Sequence, residues 1–211
     1  MAGNRLLLIS QAEAESLPRI PGADEETKML KKLMKKAGVK ALRIAGITAT
    51  TANVRKEMAS YDSIHLACHA KQNVEKPLES GFYLLNEMLL LSEIIKQHNS
   101  NGDLAFLSAC QTSTGDEQLS EEAVHLAGGM LAAGYRSVVA TMWSMSDTYG
   151  AETAEAFYSC LLQKSWCFGK AHLNGERAAF ALHYAVHCLR KRVGDTDRGL
   201  LIWLPYVHFG V

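Results

Sequence analysis

Cysteine is sparse in this chain, and its count is odd. The five cysteines are Cys68, Cys110, Cys160, Cys167 and Cys188, and no two form a Cys-x-x-Cys pair. A disulfide framework and a structural zinc site both need paired thiols at short spacings, so neither is expected, and a reducing, cytoplasmic setting fits the usage. Net charge is missing too: Lys+Arg and Asp+Glu are each 22. A balanced chain has no sequence-wide field to draw in nucleic acid or an anionic membrane surface, so neither partner is expected. No run approaches the roughly 20 apolar residues of a membrane span, and residues 1–9 lack the long apolar stretch of a signal peptide. The nucleophile elbow Gly-x-Ser-x-Gly, the phosphate loop GxxxxGK[ST] and the dinucleotide fingerprint are all absent. A serine hydrolase of the elbow type and nucleotide-dependent roles therefore have no support, and no cofactor is expected. No repeat, low-complexity segment or linker divides the chain, and 211 residues suit one substantial core. A single domain over 1–211 is the economical reading.

What is present alternates between two kinds of segment. Short apolar runs at Leu6–Ile9, Ala41–Ile47, Ser63–Cys68, Leu104–Ala109 and Ser137–Met142 read as buried strands. Between them lie helical stretches at Asp24–Ala37, Ala52–Ser60, Ser92–Gln97, Glu121–Ala133, Asp147–Leu162 and roughly Asn174–Arg192. In the first helix Asp24, Glu25 and Glu26 come early, Lys31, Lys32, Lys35 and Lys36 come late, and Gly38 follows; that order complements the helix dipole, and the lysines read as a solvated face. Thr50 or Thr51 is placed to cap the second. An excursion from Lys71 to about Leu91, with a short strand at Phe82–Leu85, reads as a mobile lid. Strands alternating with helices give an α/β fold: a mostly parallel sheet with helices on both faces.

The sheet directs attention to three residues. In open α/β sheets ligands bind beyond the carboxyl ends of the strands, and His69, Cys110 and Asp147 each stand at or just past such an end. A thiolate is a strong nucleophile, and a nearby imidazole can take the thiol proton and later protonate a leaving amine. Backbone N–H groups of Gln111–Asp116 are placed to hold a developing oxyanion. The plain alternative for Cys110 is a small buried apolar residue. His65 lies on the same side of its strand as His69 and reads as a packed or hydrogen-bonded histidine, with a second catalytic role as the alternative; Cys68 lies on the opposite face and reads as core. His183 and His187 have the i, i+4 spacing of two metal ligands, but no third ligand is near, so no metal site is expected. Cys160, Cys167 and Cys188 read as helix-face or loop residues. Gly128 and Gly129 read as close-packing positions inside a helix. Asp147 also reads as a helix cap.

His65-Leu-Ala-Cys68-His69-Ala and Phe106-Leu-Ser-Ala-Cys110-Gln-Thr resemble the histidine and cysteine motifs of the CHAT domain family, which belongs with separase among the caspase-like cysteine peptidases. The resemblance continues through Glu122-Ala-Val-His-Leu-Ala-Gly-Gly-Met-Leu-Ala-Ala-Gly134, Ser137-Val-Val-Ala-Thr-Met-Trp143-Ser-Met-Ser-Asp147 and Trp203-Leu-Pro-Tyr-Val-His-Phe-Gly210, so it spans nearly the whole chain, with fungal members the most similar. It implies a caspase-like three-layer fold and endopeptidase chemistry on a protein or peptide substrate, with Cys110 as nucleophile and His69 as its partner. It also implies an oxyanion hole from the backbone N–H groups of Ala70 and Cys110. The wider group often has glycine where this chain has Ala70, and alanine adopts positive φ less readily. By resemblance to the Trp-x-x-x-Asp segment of separase, Asp147 becomes a pocket residue for a basic side chain, with Trp143 as an apolar wall. Family members often sit behind tetratricopeptide or other sensor regions, which makes such a region or partner an expected regulator. The competing function is a catalytically inactive caspase-like signalling or interaction module.

Overall fold

The computed structural model describes residues 4–15, 17–73, 75–85, 87–108, 110–111, 122–143, 147–163 and 171–211; the side chains of 110, 111, 122–125, 147 and 148 lie outside that description. In chain order the elements are β1 (Arg5–Gln11), α1 (Pro21–Ala37), β2 (Lys40–Ala45), α2 (Thr51–Met58), β3 (Ser63–Lys71), β4 (Gly81–Tyr83), β5 (Met88–Leu90), α3 (Leu91–Gln97), β6 (Leu104–Leu107), β7 (Cys110–Gln111), α4 (Glu122–Ala132), β8 (Ser137–Thr141), α5 (Asp147–Leu161), α6 (Ala178–Val193), α7 (Asp197–Trp203) and β9 (Tyr206–Gly210).

The main sheet runs β2-β1-β3-β6-β8-β9. Every neighbour pair in it is parallel except β8 with β9. From β1 the chain goes outward to β2, then returns across β1 to β3, so the strand order reverses between β1 and β3. Such a reversal opens a crevice at the carboxyl ends of the strands.

Alternation along each strand divides the core into two layers. Leu7 and Ile9 of β1, Ile64 and Leu66 of β3, and Ala105 and Leu107 of β6 join Val54, Met58, Ile94, Leu126 and Met130 of α2, α3 and α4. Leu6 and Leu8, Leu104 and Phe106 join Leu30, Met34, Phe157, Tyr158, Ala181 and Leu189 of α1, α5 and α6 on the other face. Each fully buried aliphatic side chain contributes about 1.5–3 kcal/mol, and both layers are dense with them. This is a three-layer α/β architecture, a mostly parallel sheet between two helical layers, as the resemblance implied.

Local chemistry explains the element ends. Pro21 starts α1, where its missing N–H costs nothing, and Gly38 ends it at φ 72°, the left-handed position that suits glycine. The Thr50 side chain accepts from the Asn53 N–H and caps α2. The excursion after His69 is not the open lid that its composition suggested. β4 and β5 pair antiparallel, and β4 pairs back onto β3 through Ala70↔Phe82 and Lys71↔Gly81, with Phe82, Leu84 and Leu89 buried. Burying those side chains outweighs the polar loop character of residues 71–80. After α6 the chain forms α7 and then β9, the latter an antiparallel edge on β8.

Candidate active site

β3 is nine residues long, with all but its last residue buried. It overshoots its neighbours and carries His69 to the carboxyl edge of the sheet. β6 pairs with it up to Leu66↔Leu107, and β7 pairs with it as His69↔Cys110 and Ala70↔Gln111. The register is the same in both stretches. Cys110 is thus the direct ladder partner of His69, on strands that lie about 4.8 Å apart. The neighbouring order β3, β6, β8 also places Asp147, the first residue of α5, at the same edge.

His69 is almost fully buried, and its ring is fixed by the segment that follows β1. The Nε2–H donates to the Pro18 carbonyl at 2.7 Å. A carbonyl oxygen can only accept, so in the neutral imidazole Nδ1 is left with the lone pair. Nδ1 is buried and has no hydrogen-bond partner among the described residues. The segment that presents Pro18 is itself closed by Ile20 N–H to the Ala12 carbonyl at 2.9 Å.

Ala70 is buried and lies in two ladders, opposite Phe82 of β4 and Gln111 of β7. It is extended; among the described residues His98 is the one non-glycine at positive φ. Alanine in place of glycine therefore costs no backbone strain here. The Trp143 indole N–H donates to the Leu201 carbonyl of α7 at 2.9 Å, which ties the segment after β8 to the last helix. The Cys110 thiol, the Asp147 carboxylate, residues 112–116 and Cys167 lie outside the described residues.

The sequence favours a packed or hydrogen-bonded role for His65, and the structure agrees. The structure buries it completely as part of a polar chain. His65 Nε2 meets Glu26 Oε1 at 2.8 Å, the Tyr158 hydroxyl meets His65 Nδ1 at 3.3 Å, and Ser108 Oγ donates to Glu26 Oε2 at 3.0 Å. Glu26, read from sequence as a dipole-complementing charge, is only 3% exposed. Its i, i+4 spacing to the buried Leu30 was the one available signal that it faces inward. Close by, Asp24 accepts from Ser10 Oγ at 2.7 Å and from Arg43 Nη2 at 2.7 Å, which pins the start of α1 to β1 and β2. Cys68 is core, as its strand face required. Cys160 is buried and Cys188 half-buried, on α5 and α6. His183 and His187 stack at 6.3 Å on the exposed face of α6. Among the described residues no group of three or more His, Cys, Asp or Glu could hold a metal, and no helix is long and apolar enough to cross a membrane.

Comparison with known proteins bears on the fold and the family. The gingipain R structure described as an Arg-specific cysteine proteinase matches with a TM-score of 0.65 and 13% identity, covering 98% of this chain and 46% of that one. The complex of the Porphyromonas gingivalis RgpB pro- and mature domains matches with the same TM-score and identity, covering 98% of this chain and 47% of that one. At that identity the likeness is one of fold, and this chain spans about half the length of those proteinases. The curated protein sequences give no match. The model of the CHAT domain matches residues 2–211. With its motifs on adjoining strand ends of a caspase-like sheet, the chain belongs to the CHAT domain family.

Proposed function

We propose that this protein is a cysteine endopeptidase that makes limited cuts in a protein partner through a dyad of Cys110 and His69. The observation that carries the reading is the ladder pairing of His69 with Cys110, together with the His69 Nε2–H bond to Pro18 that leaves the Nδ1 lone pair as the base. In this reading Nδ1 takes the Cys110 proton and the thiolate attacks the scissile carbonyl. The backbone N–H groups of Ala70 and Cys110 receive the oxyanion. His69 then returns the proton to the leaving amine, and water hydrolyses the thioester. Asp147, with Trp143 as an apolar wall, would select a basic residue before the cut; the fold shared with a proteinase described as Arg-specific favours that choice. The substrate is a protein or peptide, and a sensor or tetratricopeptide region or partner is the proposed regulator. The chemistry needs no cofactor and no metal.

A thiol-directed peptidyl probe and a mixed peptide library test this together. Cys110→Ala should abolish both labelling and cleavage, and His69→Ala should lower turnover by about 10³-fold or more, since the two act as one unit. Unchanged turnover in Cys110→Ala would reject the nucleophile. A wild-type chain that neither labels nor cleaves, alone or with its regulator, would favour the inactive signalling module instead.

A further inference from the structure

Ser108 stands between the two paired stretches of the chain that carries Cys110. Leu66↔Leu107 is the last pair before it and His69↔Cys110 the first after it. The Ser108 hydroxyl donates to Glu26 Oε2 at 3.0 Å, and Glu26 comes from α1 on the far side of β3. A side-chain bond thus holds the chain at a position between the two paired stretches, two residues ahead of Cys110.

That bond is unusually well supported. Glu26 is buried, and both of its oxygens accept, one from Ser108 and one from His65 Nε2 at 2.8 Å. His65 is fully buried and stacked on Phe106 at 4.9 Å, so it cannot turn away. Its other nitrogen faces the Tyr158 hydroxyl. Burial first, and then the Glu26 charge, push the Tyr158 hydroxyl well above its ordinary range, so it keeps its proton and donates to Nδ1. Every donor then has an acceptor, as a buried polar chain requires. Hydrogen bonds to a carboxylate are roughly twice as strong as neutral ones. Over the top, a Cβ at Gly150 would lie 3.5 Å from Glu26 Oε2 and 3.7 Å from Ser108 Oγ, so α5 closes directly on the pair.

We propose that Glu26 and Ser108 are positioning residues, a tether from α1 that sets Cys110 level with His69. His65 and Tyr158 hold the carboxylate in place. None of the four touches substrate. The proposal rests on the dyad reading above, and its test separates the two.

The test uses the full chain with Ser108→Ala, Glu26→Gln, Ser108→Thr and His69→Ala. It has three readouts: peptide turnover, thermal melting, and the rate of Cys110 alkylation by iodoacetamide against pH, followed at that residue by mass spectrometry. Ser108→Ala should stay folded but melt somewhat lower than wild type, because it leaves one oxygen of the buried Glu26 carboxylate without its donor. Its kcat should fall by on the order of 10²-fold, the cost of a misplacement of about 1 Å, with KM within about twofold. The pH midpoint of Cys110 alkylation should rise towards that of His69→Ala. Ser108→Thr, which keeps the hydroxyl, should restore both, and Glu26→Gln should fall between. A well-folded Ser108→Ala with wild-type kcat and a wild-type alkylation profile would overturn the tether. So would a loss that Ser108→Thr fails to restore. If His69→Ala itself leaves the alkylation profile unmoved, the dyad reading fails; if His69→Ala moves it and Ser108→Ala does not, only the tether fails.

Discussion

At the residue scale, sequence and structure carry different parts of the site. The apolar runs that end on His69 and Cys110 put both residues at strand ends, and the ladder pairs them. The runs alone leave Cys110 open to a plain core reading, and the proposed roles come from the resemblance to the CHAT motifs. Glu26 was not legible. Three acids at the start of a helix look alike in sequence, and only packing against β3 decides that Glu26 turns inward while Glu25 pairs with Lys28 at the surface, 2.9 Å away. Ser108 looked like one more residue of a strand, and nothing local marks its place between two paired stretches. Asp147 is the residue whose role is most open to a simple measurement. If its carboxylate lines the pocket before the scissile bond, arginine should be preferred there, because its planar fork can make two hydrogen bonds to a carboxylate. Asp147→Asn should then depress cleavage after arginine while leaving the melting temperature and the alkylation of Cys110 unchanged. Equal rates after arginine and leucine in the wild-type protein would assign Asp147 to the helix start alone.

Among the elements, most strands and helices fall where periodicity put them, within a few residues at each end. Two of the exceptions share a cause. β5 is three residues long and β7 two, too short to show alternation, and both exist only because β4 and β3 offer them partners. The adjacent glycines of α4 separate in the same way. A Cβ on Gly129 would stand 2.6 Å from Leu91 Cδ1, whereas Gly128 faces open space. Glycine inside a helix costs about 0.5–1 kcal/mol relative to alanine. Gly128→Ala should therefore raise the free energy of unfolding by about that amount. Gly129→Ala should lower it by about 1–3 kcal/mol, since Leu91 is buried at the start of α3 and has little room to turn. Urea denaturation of the two variants reads the contrast directly; a gain in both would mean that α3 and α4 repack freely.

For the whole molecule, the sheet is a partition with a full core on each side. β1 contributes to both at adjacent positions: Leu7 lies in the layer of α2, α3 and α4, Leu8 in the layer of α1, α5 and α6, and neither is exposed. If residues 1–211 fold as one unit, damage to either layer must reach the other through the shared strands. Leu7→Ala and Leu8→Ala should each lose about 2–5 kcal/mol. Each should also shift one transition, seen at the same denaturant concentration by far-ultraviolet and near-ultraviolet circular dichroism. A second transition moved by one substitution and not the other would divide the chain into separately folding parts.

The hydrogen bond from His69 to Pro18 has a consequence for how this site can be dissected. The accepting oxygen belongs to the main chain, so that member of the site has no codon of its own. Any residue at position 18 would offer the same atom. A scan of single substitutions would find His69 and Cys110 and pass silently over the group that orients the imidazole. Only an insertion or deletion between Gln11 and Pro21, by changing the path of the segment rather than its side chains, would expose it.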